Sequence, residues 1–136
     1  MQKKINYSEN RKESYKTSKN VLKSFKHAFN GIYYVFKTSR NFKIQLVFAL
    51  TSLITAFLLN ISISNYFILI ATIMSVLILE ILNTSIESIV DLLVKKEFNS
   101  LAKISKDTSA GAVLLASMNS VIIALYIFVP KIKLLF

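Results

Sequence analysis

The chain contains no cysteine and no tryptophan, and only one proline, one histidine and two glycines in 136 residues. Without cysteine, disulfides and thiolate metal sites are excluded, and the compartment has to be read from other features. No glycine-rich phosphate loop of the Walker or protein-kinase kind is present, so any nucleotide site must be built from carboxylates, lysines and helix ends. Acidic residues are scarce as well, with seven Asp and Glu against seventeen Lys and Arg, for a net charge of +10. What is abundant is apolar: 54% of the residues are hydrophobic, in runs nearly long enough to cross a bilayer. A soluble domain of this size does not normally have that composition, and helices in lipid do.

The positive charge is uneven. Residues 1–43 hold eleven Lys and Arg and two acids, Glu9 and Glu13. Beside apolar spans such a patch marks the cytoplasmic side or an anionic lipid surface rather than a nucleic-acid site. No short apolar core follows the first lysines, so the N-terminus does not read as a signal peptide. Residues 1–17 are polar and read as a flexible basic tail. Across 18–38, Val21, Phe25, Ala28, Ile32 and Val35 recur at helical spacing with lysines mostly on other faces, the pattern of an amphipathic helix lying in the headgroup plane.

Three spans follow, at about 44–60, 66–94 and 108–129. The third is expected to stop at Pro130, leaving a tail over 133–136. The N-terminal region carries eleven basic residues, the first link none, the second connector four (Lys95, Lys96, Lys103, Lys106) and the C-terminal end two. The positive-inside rule puts the N-terminus and the second connector in the cytoplasm and the C-terminus outside. The second span then delivers its acidic half to the side where ATP is found.

Glu80, Asn83, Glu87 and Asp91 fall on that half within a stripe about 80° wide. Ionisable groups in a span cost about 2.5–3.5 kcal/mol each on insertion scales, so they face a protein interior or a wet cavity. One reading is adhesion between helices, with Asn83 and Thr84 bonding a neighbour and the acids paired to connector lysines. The other is an interfacial active site. An apolar surround favours a neutral carboxyl group, which suits a base accepting a hydroxyl proton, and a second carboxylate two turns away can hold Mg²⁺ on a phosphate. Lys106 offers a point charge for phosphate, and Asp107 either caps the third helix or accepts from a nucleotide. His27 by itself reads as a histidine at the membrane surface, and Gly31 as a site of close helix packing.

The stretch from Glu80 through Asn83 and Glu87 to Asp91, followed by Ala102-Lys103 and Lys106-Asp107 at the next helix, resembles the prokaryotic diacylglycerol kinase family, which includes undecaprenol kinases. The resemblance extends back through Lys26-His27-Ala28 and Arg40-Asn41-Phe42 and forward to Pro130, covering about residues 18–132. It implies an all-α membrane protein: an N-terminal surface helix and three transmembrane helices, assembled as a homotrimer with shared active sites. It also implies transfer of the ATP γ-phosphoryl group to a lipid hydroxyl at the cytoplasmic interface. On this basis Glu80 is the catalytic base, Glu87 a Mg²⁺ ligand, and Asn83 and Asp91 supporting residues. Lys106, Asp107, Glu87, His27, Glu97 and Asn99 line the nucleotide site.

Three positions depart from the family pattern, one of them Asn20, where an arginine is expected near the start of the surface helix, with Lys19 adjacent. The glutamate usual before Arg-Asn, the other metal ligand, is Ser39 here, and the histidine of many members is Gln45. A hydroxyl is a poorer Mg²⁺ ligand than a carboxylate, and phosphoryl transfer depends on metal charge. Two rival readings follow: a degenerate kinase that binds nucleotide or lipid without turnover, motivated by Ser39, and a small pore-forming or accessory membrane protein. The ordered acids argue against the second.

Overall fold

The computed structural model of the protein describes residues 21–95 and 97–134. The tail expected over 1–17, the first three residues of the expected surface helix, Lys96 and residues 135–136 lie outside the described residues. The chain divides between Lys37 and Thr38 into two compact units. The described residues are helical almost throughout: α1 is Val21–Thr38, α2 is Arg40–Leu58, α3 is Ile63–Val94 and α4 is Ser100–Lys133.

A single residue separates α1 from α2. Ser39 is extended (φ −83°, ψ 119°), and its hydroxyl accepts the Phe42 N–H at 3.1 Å, which starts a new helix. Serine is a preferred N-cap because its oxygen satisfies one of the amide donors left free in a first turn. In α1, Phe25, Phe29 and Tyr33 are exposed. Among the described residues nothing lies within 4 Å of where a Cβ on Gly31 would sit, so the close packing expected there is not seen among them.

The turn from α2 to α3 follows from Asn60, Ile61 and Ser62. Asn60 takes a left-handed conformation (φ 47°), which asparagine tolerates better than most residues. The Ile61 N–H then reaches Ala56 O (3.3 Å) and the Asn60 N–H reaches Phe57 O (3.2 Å), the bond pair of a Schellman motif. Its usual hydrophobic contact is present: Ile61 and Ala56 are both buried in one cluster with Leu69 and Ile127, and Leu53, Tyr66 and Ile123 pack around it. Ser62 caps α3 by accepting from the Asn65 N–H. The apolar core therefore sits at the turn end of the three-helix unit.

Asn99, not Asp107, caps α4: its side chain accepts from the Leu101 and Ala102 N–H groups at 2.9 and 3.2 Å. Asp107 lies two turns inside the helix, which corrects the capping role considered for it. Nor does Pro130 stop α4. Proline removes one intrahelical donor, yet the helix runs on to Lys133 and closes with the Leu134 N–H on Lys131 O (3.3 Å).

Three helices, α2, α3 and α4, are long and apolar enough to cross a membrane. Only 17%, 28% and 11% of their most apolar windows is buried within the chain, so most of their apolar surface faces outward, as a solvent of lipid allows. The protein is a multi-pass membrane protein. At ~1.5 Å per residue, α2 is about 28 Å long, α3 about 48 Å and α4 about 51 Å. The three run antiparallel in sequence order, so α3 beyond Glu80 and the first turns of α4 continue past the level at which α2 begins.

Candidate active site

Glu80 lies on α3 at the level of the first turn of α2, and it is 2% exposed. Both its carboxylate oxygens are engaged from α2. The Ser39 hydroxyl donates to Oε1 at 2.7 Å, and the Gln45 amide donates through Nε2 to Oε2 at 3.1 Å. Ser39 caps α2, so the carboxylate also lies beside the positive end of a helix dipole. Neither donor is a cation. A buried carboxylate without hydrogen bonds is costly, and here neutral donors and a helix end meet that cost.

One turn further along α3, the Asn83 amide joins two helices. Its Nδ2 donates to Glu87 Oε1 at 3.1 Å, and its Oδ1 accepts from the Ser109 hydroxyl of α4 at 2.6 Å. Ser109 shares its one proton with Lys106 O at 2.9 Å. Asn83 is buried and Glu87 half-buried. At the end of α3, Lys106 Nζ and Asp91 Oδ1 form an ion pair at 2.9 Å, with side chains 37% and 59% exposed. The acidic stripe is thus divided: Glu80 turns to α2, while Asn83 and Asp91 turn to α4.

A cavity of about 380 Å³ opens between α2, α3 and α4, on the Leu77 side of Glu80 and reaching along α3 to Leu69. Ile44, Gln45 and Phe48 line it from α2, Val76 and Leu77 from α3, and Ser117 from α4. Gln45 belongs both to this lining and to the Glu80 contact.

A family model described as prokaryotic diacylglycerol kinase matches residues 26–128. The chain belongs to the prokaryotic diacylglycerol kinase family. Among curated relatives, a diacylglycerol kinase of Synechocystis sp. is 41% identical over 120 residues, covering 88% of this chain and 69% of its own length. An undecaprenol kinase of Bacillus subtilis is 44% identical over 110 residues, 81% of this chain and 89% of its own. As a member of this family the protein is a lipid kinase, with ATP as the phosphoryl donor.

The residues expected to form this kinase's site are only partly brought together. Glu80 meets Ser39; Asn83 meets Glu87; Asp91 meets Lys106. Ser39 bonds to Glu80 and not to Glu87, the carboxylate expected to hold metal. Asp107 is exposed on α4, and Glu97 is exposed in the loop before it, where its N–H bonds Val94 O at 2.8 Å. Asn99 spends its side-chain oxygen on the α4 cap. His27 is exposed on α1, in the other unit.

Sequence reasoning assigned no role to Ser109, because a serine in the first turns of a membrane helix carries no signal of its own. Gln45 was visible only as a departure from the family pattern. Its signal is an amide placed early in an apolar span.

Among the described residues no three His, Cys, Asp or Glu side chains cluster as a metal site. Kinase Mg²⁺ needs less, since one or two carboxylates suffice when phosphate oxygens and water complete the shell. Glu87 fits that requirement: Asn83 takes one of its lone-pair positions and leaves the rest.

Proposed function

We propose that the protein phosphorylates the hydroxyl of undecaprenol or diacylglycerol at the cytoplasmic face of the cell membrane, with Glu80 as the general base. The observation that carries this reading is the Glu80 carboxylate, buried and held on both oxygens by neutral donors, the Ser39 hydroxyl and the Gln45 amide. A carboxylate offers about four lone-pair positions, and among the described residues one donor sits on each oxygen, so a hydroxyl can donate to a second position. The lipid oxygen gives its proton to Glu80 and bonds the γ-phosphorus, the bond to the β–γ bridging oxygen breaks, and ADP leaves.

Glu87 would hold Mg²⁺ with the phosphates, and Asn83 and Ser109 fix its direction. Bound Mg²⁺ supplies charge neutralisation for the transferred phosphoryl group. Lys106 and Asp107 contact the nucleotide in this reading. The ion pair of Lys106 with Asp91 is open to solvent, and exposed pairs contribute little, so triphosphate can compete for the lysine. Glu97, Asn99 and His27 complete the nucleotide side, α1 lies along the headgroups as an amphipathic helix, and the catalytic domain is 18–132. The outward-facing apolar surface of α2–α4 leaves room for neighbouring chains, in keeping with a homotrimer with shared sites. The basic second connector faces the cytoplasm, and the C-terminus lies outside.

The test is ADP release by purified protein in lipid vesicles, with Mg²⁺, labelled ATP and each lipid in turn. Lipid-dependent turnover that disappears in Glu80→Gln, with ATP binding retained, is the expected result. Nucleotide binding with no turnover on either lipid would instead select the degenerate reading motivated by Ser39.

A further inference from the structure

We infer that Ser39 and Gln45 are positioning residues for the base, and that Ser39 serves Glu80 rather than the metal. This rests on the role proposed for Glu80. The terminal torsion of a glutamate is broad and two-fold, so the side chain alone does not fix where its lone pairs point. One donor on each oxygen removes that freedom: Ser39 Oγ at 2.7 Å from Oε1 and Gln45 Nε2 at 3.1 Å from Oε2. Both donors come from the first two turns of α2, a rigid helix, and Ser39 is its cap.

The chemistry of each group is already committed. The single Ser39 proton goes to Glu80, and one Ser39 lone pair goes to the Phe42 N–H. The Gln45 amide turns its nitrogen toward the carboxylate, which accepts it at 3.1 Å. That leaves Gln45 Oε1 buried with no partner among the described residues. A leucine or methionine here would avoid the cost of an unsatisfied acceptor, so the amide is kept for its nitrogen. Gln45 also lines the 380 Å³ cavity, so one residue belongs both to the base's contacts and to the cavity wall.

Four full-length variants test this: Ser39→Ala, Ser39→Thr, Gln45→Met and the Ser39→Ala/Gln45→Met double. Steady-state kinetics are read at saturating Mg²⁺, along with the Mg²⁺ concentration at half-maximal rate. Misplacing a reacting group by about 1 Å costs on the order of 10²-fold. Ser39→Ala and Gln45→Met should therefore each lower kcat by roughly 10- to 100-fold, with KM for ATP and Mg²⁺ dependence unchanged. Ser39→Thr keeps the hydroxyl and should restore kcat. The double variant should fall less than the product of the singles, since both act on one carboxylate.

Gln45 caps no helix, so Gln45→Met decides the matter if Ser39→Ala is poorly folded. Full kcat in Gln45→Met, or activity lost only in step with loss of folded protein, overturns the inference. A Ser39→Ala effect confined to Mg²⁺ dependence overturns it too and returns residue 39 to the metal. If wild type turns over and Glu80→Gln does not, while these variants keep wild-type kcat, the inference fails and the function stands. A Glu80→Gln protein that keeps full turnover removes the role on which both rest.

Discussion

The two ends of the acidic stripe on α3 differ in every respect that matters for chemistry. At Glu80 three helices are present, the carboxylate is 2% exposed, and its partners are a hydroxyl and an amide. At Asp91, three turns on, the carboxylate is mostly exposed and its partner is a lysine. The helix and the residue class are the same, so the difference comes from what stands opposite. α2 begins at Arg40, level with Glu80, and supplies no residues beyond it. A dry carboxylate can be aimed and held; a wet one exchanges partners readily. The first suits proton abstraction, the second a site that charged phosphates enter and leave.

The largest effect that would break this contrast is expected at its dry end. Glu80→Gln should lower lipid-dependent ADP release by about 10²- to 10⁴-fold, the range for general base catalysis, with ATP binding retained in an equilibrium titration. Near-normal turnover would leave Glu80 as nothing more than a buried polar residue.

An intermediate effect is expected at the joint between the ends. Asn83→Leu removes the amide that fixes Glu87 and the acceptor for Ser109. Loss of such a supporting contact typically costs 10- to 100-fold in metal affinity or activity, so the Mg²⁺ needed for half-maximal rate should rise by roughly that factor. An unchanged Mg²⁺ curve would move the metal away from Glu87.

The smallest effect belongs to the wet end. Asp91→Asn breaks the exposed ion pair and should leave thermal stability almost unchanged. Apparent KM for ATP should fall slightly as Lys106 is released. A large loss of stability would show that the pair is structural and that the contrast between the ends is overdrawn.

Much of this was open to reading without coordinates. Val21 to Val35 repeat at helical spacing, and α1 covers them. The apolar runs before and after Asn60 mark α2 and α3. The acids recur at helical spacing, and a helix carries them. The helix ends were harder to read. Asp107 looked like a cap because the third apolar run begins just after it, yet the helix starts at Ser100 and Asn99 holds the extended backbone that a cap needs. Pro130 looked like a stop, yet one missing bond does not unravel the turn after it. At Ser39 the sequence shows which residue stands at the expected metal position, but not that its hydroxyl donates to Glu80.

The sequence by itself determined three membrane helices, the family and a line of carboxylates on one helix, because hydrophobicity and helical period are local properties of consecutive residues. The tertiary structure alone decided how that line is divided. Glu80 takes its donors from residues 41 and 35 positions away, and Asn83 takes one from 26 positions away. Hydrogen bonds act over about 3 Å, so the rotation and axial register of packed helices, which no local pattern encodes, set which partner each acid meets.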